Sequence, residues 1–289
     1  MRKRISGSTL QEIASISGAG FSTWIHSART ILILVFVLAV CYVHCETQTR
    51  NLALAGRSFN ILEMMAYIML NGCNMTVMSI LFLITNTELP LRTRYQYMML
   101  SRTKRFSWLA AQILYCVTMS LFMVVLVQIL CLILLPFLGV NGFSNVWSEN
   151  VLVESGLLLS WETVVPEYIR LHFTPVGTLL LSDAVSFLFW FSMVLFVLLF
   201  SMMRKPVIGI SLYVILLLAN LIFLVEAMDG IPTPVQLSTV SGIFRVFEDE
   251  KNGLQMTFIG YGIYVFLLTS LLFPVSRKQE LAFDNTSTI

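Results

Sequence analysis

Long runs of Leu, Ile, Val, Met and Phe recur along the chain, and the polar residues gather between the runs instead of alternating within them. A half-buried strand alternates with period two, and a soluble amphipathic helix carries a single apolar stripe. Runs near or above the roughly 17–25 residues that cross a bilayer as helix predict membrane spans instead. Six are present, at 30–45, 61–84, 108–135, 177–202, 207–225 and 256–275. The first is short and draws on residues from Trp24 to Arg29, while the third is long enough to tilt or to project from the membrane. Composition agrees: 57% of residues are hydrophobic, 12% are charged and the mean hydropathy is +0.83, where a soluble domain has about 45–50% apolar and about 25% charged residues. No fixed-period repeat, low-complexity tract or long charged linker divides the chain. It reads as one all-α, polytopic membrane domain over residues 1–289.

The net charge of +2 matters less than where the charges fall, because Lys and Arg in alternate loops set orientation. With the N-terminus in the cytoplasm, that side collects thirteen basic residues: Arg2, Lys3, Arg4, Arg29, Arg92, Arg94, Arg102, Lys104, Arg105, Arg204, Lys205, Arg277 and Lys278. The other side has five, namely Arg50, Arg57, Arg170, Arg245 and Lys251, beside ten acids that include Glu46, Glu149, Glu154 and Glu226. The split predicts six spans with both termini cytoplasmic. Residues 1–29 then form a cytoplasmic N-terminal segment, 85–107 a cytoplasmic loop, and 139–176 and 226–255 long outer loops.

Within the N-terminal segment, Leu10, Ile13 and Ile16 recur at near-helical spacing, which leaves open a helix on the membrane surface or a disordered tail. The basic start resembles a signal peptide, but the apolar run begins too late and no cleavage site follows at the usual distance, so an uncleaved first span is expected. Pro206 suits the first turn of the fifth helix, after the tight turn at "MMRKP". The outer loops contain "NVLVESGLLLSWETVV" and "SGIFRVF", readable either as helices resting at the interface or as irregular segments. Trp147 and Trp161 suit interfacial depth.

Chemistry is sparse. The chain has no G-x-x-x-x-G-K-[ST], H-E-x-x-H or G-x-S-x-G motif, and its three histidines lie outside the centres of the runs. Cys41, Cys45, Cys73, Cys116 and Cys131 fall in or beside spans and read as small hydrophobes. "CYVHC" lacks a complete ligand set for a metal. No catalytic residue, metal site or cofactor of this chain's own is expected. The ionisable residues inside runs are Glu63 and Asp183, both near outer helix ends, where snorkelling or a partner such as Arg57 competes with a substrate role. Asn71 and Asn74, at i, i+3, mark a close helix contact or a polar spot on a pathway. Gln112, Gln128 and Asn220 are candidates for bonds across helices.

The most informative stretch is "TELPLRTRYQYMMLSRTKRFSW", Thr87 to Trp108. After Pro90, residues from Leu91 to Leu100 have the makings of a short amphipathic helix beneath the membrane, with Tyr95, Met98 and Met99 within about a turn of each other. Five positive charges there suffice to hold a loop inside and to contact anionic lipid, but charges alone leave the aromatic and Met residues unexplained.

Here the chain resembles the membrane subunits of ABC-2 type transporters, with six spans, a cytoplasmic segment between the second and third, and extra structure between the fifth and sixth. The stretch "YMMLSRTKRFSWLAAQILYCVTMSLFMVVL" is similar to that family in placing a basic "SRTKR" before Trp108, Gln112 and a long third span. The outer loop between the third and fourth spans is longer than in the most compact members. The resemblance implies a permease subunit in the bacterial cytoplasmic membrane, exporting a peptide or lipid-like compound. ATP and Mg would be bound by a separate ABC ATPase subunit, and a second permease, identical or related, would complete the transporter. It implies no nucleic-acid partner. The ATPase-coupling segment would comprise Leu91, Arg94, Tyr95, Met98, Met99, Arg102 and Arg105, with Glu63, Asn71, Asn74 and Asp183 as pathway or helix-contact residues. A non-transporting membrane scaffold or sensor, and an enzyme with residues assembled across helices, are the competing readings.

Overall fold

In a computed structural model, residues 9–54, 60–70, 72–86, 89, 105–148, 171–226 and 253–284 are described. Their helices are α1 (Thr9–Ile25), α2 (Ala28–Leu54), α3 (Ile61–Leu70), α4 (Gly72–Thr85), α5 (Arg105–Phe137), α6 (Pro175–Met202), α7 (Pro206–Glu226) and α8 (Gly253–Asp284). No strand occurs among the described residues.

Four helices are long and apolar enough to cross a membrane, over Thr30–Thr47, Phe106–Phe137, Pro175–Met202 and Thr257–Ser276. They correspond to the first, third, fourth and sixth runs. The fifth run is helical throughout as α7. The second is described as α3 and α4, on either side of residue 71. α3 lies mainly against α6 and α5; α4 lies mainly against α2 and α7 and also touches α6.

α6 is the centre of the bundle, packed by α3, α5, α7 and α8. In its most apolar part 78% of residues are buried, against 17–33% in the other three long helices. Its composition explains the position, since a helix apolar on all sides has no face that prefers water. Small hydroxyl residues let neighbours approach closely, and Ser182 and Ser192 return their hydroxyls to their own helix, at Leu179 O and Phe189 O, both at 2.8 Å. Rings complete the contacts. Trp190 meets Phe82 of α4 with centroids 5.9 Å apart, and Phe196 meets Tyr213 of α7 edge-on at 5.5 Å.

The N-terminal segment forms a helix, α1, along α5. Ile16, Gly20 and Trp24, spaced i, i+4 and i+8, are its buried stripe, and Phe21 and Trp24 close on Phe122 at 5.6 and 5.5 Å. The α2–α5 seam holds thiols: Cys41 and Cys45 share one face of α2, and both lie within hydrogen-bonding reach of Cys131. All three are buried, which fits their expected packing as small hydrophobes. Apolar side chains such as Ile31, Leu32, Val35 and Phe36 of α2 and Ile263, Phe266 and Leu267 of α8 stay exposed. So large an apolar exterior is the signature of a membrane-facing surface.

Two helix ends have the same closure. At the end of α5, Val140 N bonds to Leu135 O and Gly139 N to Pro136 O, both at 3.1 Å, with Gly139 at φ +87°. At the end of α6, Lys205 N bonds to Phe200 O at 2.9 Å and Arg204 N to Ser201 O at 3.1 Å. This is the Schellman arrangement, whose left-handed residue is commonly Gly; here Arg204 takes it at φ +61°. The chain then enters α7 directly at Pro206, as the sequence predicts. These closures define two ends of the bundle, a loop end carrying residues 138–148 and a turn end carrying residues 203–205.

Gly209 makes the α6–α7 turn possible. A Cβ there would lie 2.5 Å from Phe200 Cβ and 2.8 Å from its Cγ, so the backbone itself would have to move. Gly209→Ala is expected to lower the melting temperature in detergent by several degrees, consistent with an overpacking cost of about 1–3 kcal/mol. Gly262→Ala on α8, where nothing lies within 4 Å, should leave it unchanged or raise it. Equal responses at the two sites would contradict the described packing of α7 on α6.

Candidate functional site

The polar residues inside the apolar runs resolve into two features, one at the loop end and one deeper. Asn60 and Glu63 begin α3 as a reciprocal cap. Glu63 N donates to Asn60 Oδ1 at 3.0 Å, and Asn60 N donates to Glu63 Oε2 at 3.1 Å. This is the capping-box geometry with Asn in the first position. The carboxylate has further partners 85 residues away: Ser148 Oγ donates to Oε2 at 3.1 Å, and Ser148 N donates to Oε1. Glu63 is 1% exposed, so these bonds replace the water that a carboxylate needs.

The same loop seals the start of α6. Ile61 N donates to Gly142 O at 3.1 Å, Val176 N to Asn145 Oδ1 at 3.0 Å, and Trp147 Nε1 to Phe173 O at 2.7 Å. Thr174 caps α6 by accepting from Gly177 N at 3.3 Å. Residues 139–148 therefore join α3, α5 and α6 at one end of the bundle.

Asp183 is the ninth residue of α6, about 12 Å from its loop end at 1.5 Å per residue. Gln128 Nε2 of α5 donates to Asp183 Oδ1 at 2.6 Å. Gln128 thus makes the cross-helix bond expected of it, and its own Oε1 is buried and unpaired. Further along α6, Trp190 Nε1 donates at 2.9 Å to Ser79 Oγ of α4, which donates in turn to Met75 O at 2.6 Å.

Glu63 and Asp183 are thus separate features with separate partners. The first serves as a saturated helix cap. The second has one carboxylate oxygen engaged by an amide and is only half-buried by this chain. Leu91, Arg94, Tyr95, Met98, Met99 and Arg102 lie outside the described residues, as do Arg57, Asn71 and Trp161. Arg105 begins α5, and Asn74 lies in the first turn of α4. Sequence reasoning missed Asn60 and Ser148 as partners of Glu63. The Asn-x-x-Glu spacing at 60–63 was the available signal for the first. Nothing local announces the second. Among the described residues, no group of three His, Cys, Asp or Glu is placed to hold a metal ion. Comparisons with protein-family models, curated proteins and solved structures find no match to this chain.

Glu63→Ala removes the acceptor for three donors, two of them backbone N–H groups, and is expected to cost about 2 kcal/mol or more. Glu63→Gln retains one acceptor oxygen and should cost less. Thermal unfolding followed by tryptophan fluorescence in detergent checks the order. If the two variants melt together at the wild-type temperature, the carboxylate is not the tie between α3 and the loop.

Proposed function

We propose that this chain is the membrane-spanning permease subunit of an ABC transporter of the ABC-2 type, an exporter in the bacterial cytoplasmic membrane. Six spans place both termini in the cytoplasm. A separate ABC ATPase holds ATP and Mg, and a second permease, identical or related, completes the pathway. The observation that carries the reading is the basic segment between the second and third apolar runs, which combines Arg92, Arg94, Arg102, Lys104 and Arg105 with Tyr95, Met98 and Met99. Its position in the fold supports a docking role. The segment leads directly into α5 at Arg105, whose first turn is at the turn end, where Arg204 and Lys205 also lie. Positive charge gathers at the turn end, and the capped acid Glu63 lies at the other. This is the distribution expected if the turn end faces the cytoplasm.

The chain has no phosphate-binding loop, so the motor comes in trans. A helix over 91–100 would present Tyr95 and Met99 together at i, i+4 to a groove on the ATPase. Opening and closing of the pathway then follow from movement of that segment against α5.

Affinity purification from native membranes is expected to recover an ABC ATPase, while the purified chain alone binds no ATP at micromolar concentration. Replacing Tyr95 and Met99 by Ala should uncouple transport from ATP hydrolysis, with expression and topology intact because every Lys and Arg remains. Normal transport and full ATPase recovery by that pair would reduce the segment to an anchor and favour a scaffold. Topology has its own test. A cysteine at Ser144, exposed on the loop end, should label with an impermeant reagent in intact cells, and one at Ser101 should not. The reverse pattern would invert the map.

A further inference from the structure

The half-buried state of Asp183 raises the question of what covers the rest of it. A carboxylate about 12 Å along a membrane helix is costly against lipid, and such groups face a bundle interior, a partner or a water-filled path. Among the described residues its hydrogen-bond partner is Gln128, and Ser186 and Phe187 follow at i+3 and i+4 on its own helix. Gln128 donates its amide N–H to Oδ1 at 2.6 Å and keeps Oε1 buried without a partner. Ser186, less than one turn further along α6, is buried with its hydroxyl unpaired. Phe187, at i+4 from Asp183, stacks on Phe191 with centroids 5.8 Å apart and planes 8° from parallel. No ion pair between Asp183 and a Lys or Arg occurs among the described residues.

One negative charge, an unpaired amide oxygen, an unpaired hydroxyl and a pair of aromatic faces describe a site for a cation. Hard metal ions ask for six or more oxygens at short range, and that set is not assembled here. Aromatic faces beside a carboxylate suit an alkylated ammonium, whose diffuse charge is attracted by ring quadrupoles while its alkyl groups pack on the rings. We propose that Asp183, positioned by Gln128 and flanked by Ser186 and Phe187, binds the ammonium group of an organic cation. The transport role of the site rests on the permease reading above, and there it names amine-bearing compounds as the substrate class. Binding itself requires no ATPase.

The test uses the purified full chain in lipid nanodiscs with radiolabelled tetraethylammonium as probe. Wild-type protein is expected to bind it saturably. Asp183→Asn, which retains an oxygen to accept from Gln128, should bind at least tenfold more weakly. Phe187→Leu should lose severalfold, Asp183→Glu should retain binding, and sodium at equal concentration should not displace the probe. Absence of saturable binding by the wild type, equal binding by Asp183→Asn, or displacement by sodium would each overturn the proposal. Recovery of an ATPase without tetraethylammonium binding would leave the permease reading standing and remove this site. Binding without an ATPase would retain the site and remove its coupling.

Discussion

The structure depends on one constraint: a polar group inside a bilayer has no water to turn to, so each must find its partner within the protein. In this chain a small set of bonds meets it along α6. Thr174 and Asn145 satisfy its first turn, Gln128 reaches Asp183, and Ser79 accepts from Trp190. Apolar packing alone specifies little between helices in lipid, since a Leu against a lipid tail is about as well off as a Leu against a neighbour. Directional bonds at three depths fix the height and rotation of α6. The rings of Phe82, Phe189, Phe196 and Tyr213 then fill the space that those bonds leave.

The two acids found in apolar runs meet the constraint in opposite ways. Glu63 is saturated: three donors converge on it, and its burial closes α3 against the loop at 139–148. Asp183 is engaged on one oxygen only and keeps part of its surface uncovered. A saturated acid holds a structure together, whereas an acid with free capacity is available to a ligand. This difference, and not the mere presence of charge in a span, separates the structural residue from the binding candidate.

Much of this was legible in the sequence and some was not, for identifiable reasons. Continuous apolar runs predicted six spans in an all-helical architecture, and four of those runs are helices long and apolar enough to cross a membrane, because length and composition carry that signal without any tertiary knowledge. Gln128 was recognisable as a cross-helix donor, since an amide in lipid must find a partner. Its choice of Asp183 was not, because the antiparallel register of α5 and α6 is set by the loop at 139–148. The partnership of Glu63 with Ser148 depends on that same loop, which looks featureless until it is folded over the start of α3. Hydropathy also treats 61–84 as one run. The different neighbours of α3 and α4 depend on where α2, α6 and α7 stand, which no local pattern reveals.

The ends of the bundle are not equivalent, and the difference bears on how it could be driven. The long-range side-chain bonds named above all lie between the loop end and Trp190. Buried polar atoms without a partner occur toward both ends: Ser107 Oγ, Trp108 Nε1, Gln112 Oε1 and Ser201 Oγ toward the turn end, and Thr178 Oγ1, Ser186 Oγ and Gln128 Oε1 toward the loop end. What distinguishes the ends is where the directional cross-helix bonds lie, and the basic segment at 87–105 precedes α5 at the end away from those named. In the permease reading, that segment leads into α5, the helix that carries Gln128, so force applied through it would reach the partner of Asp183.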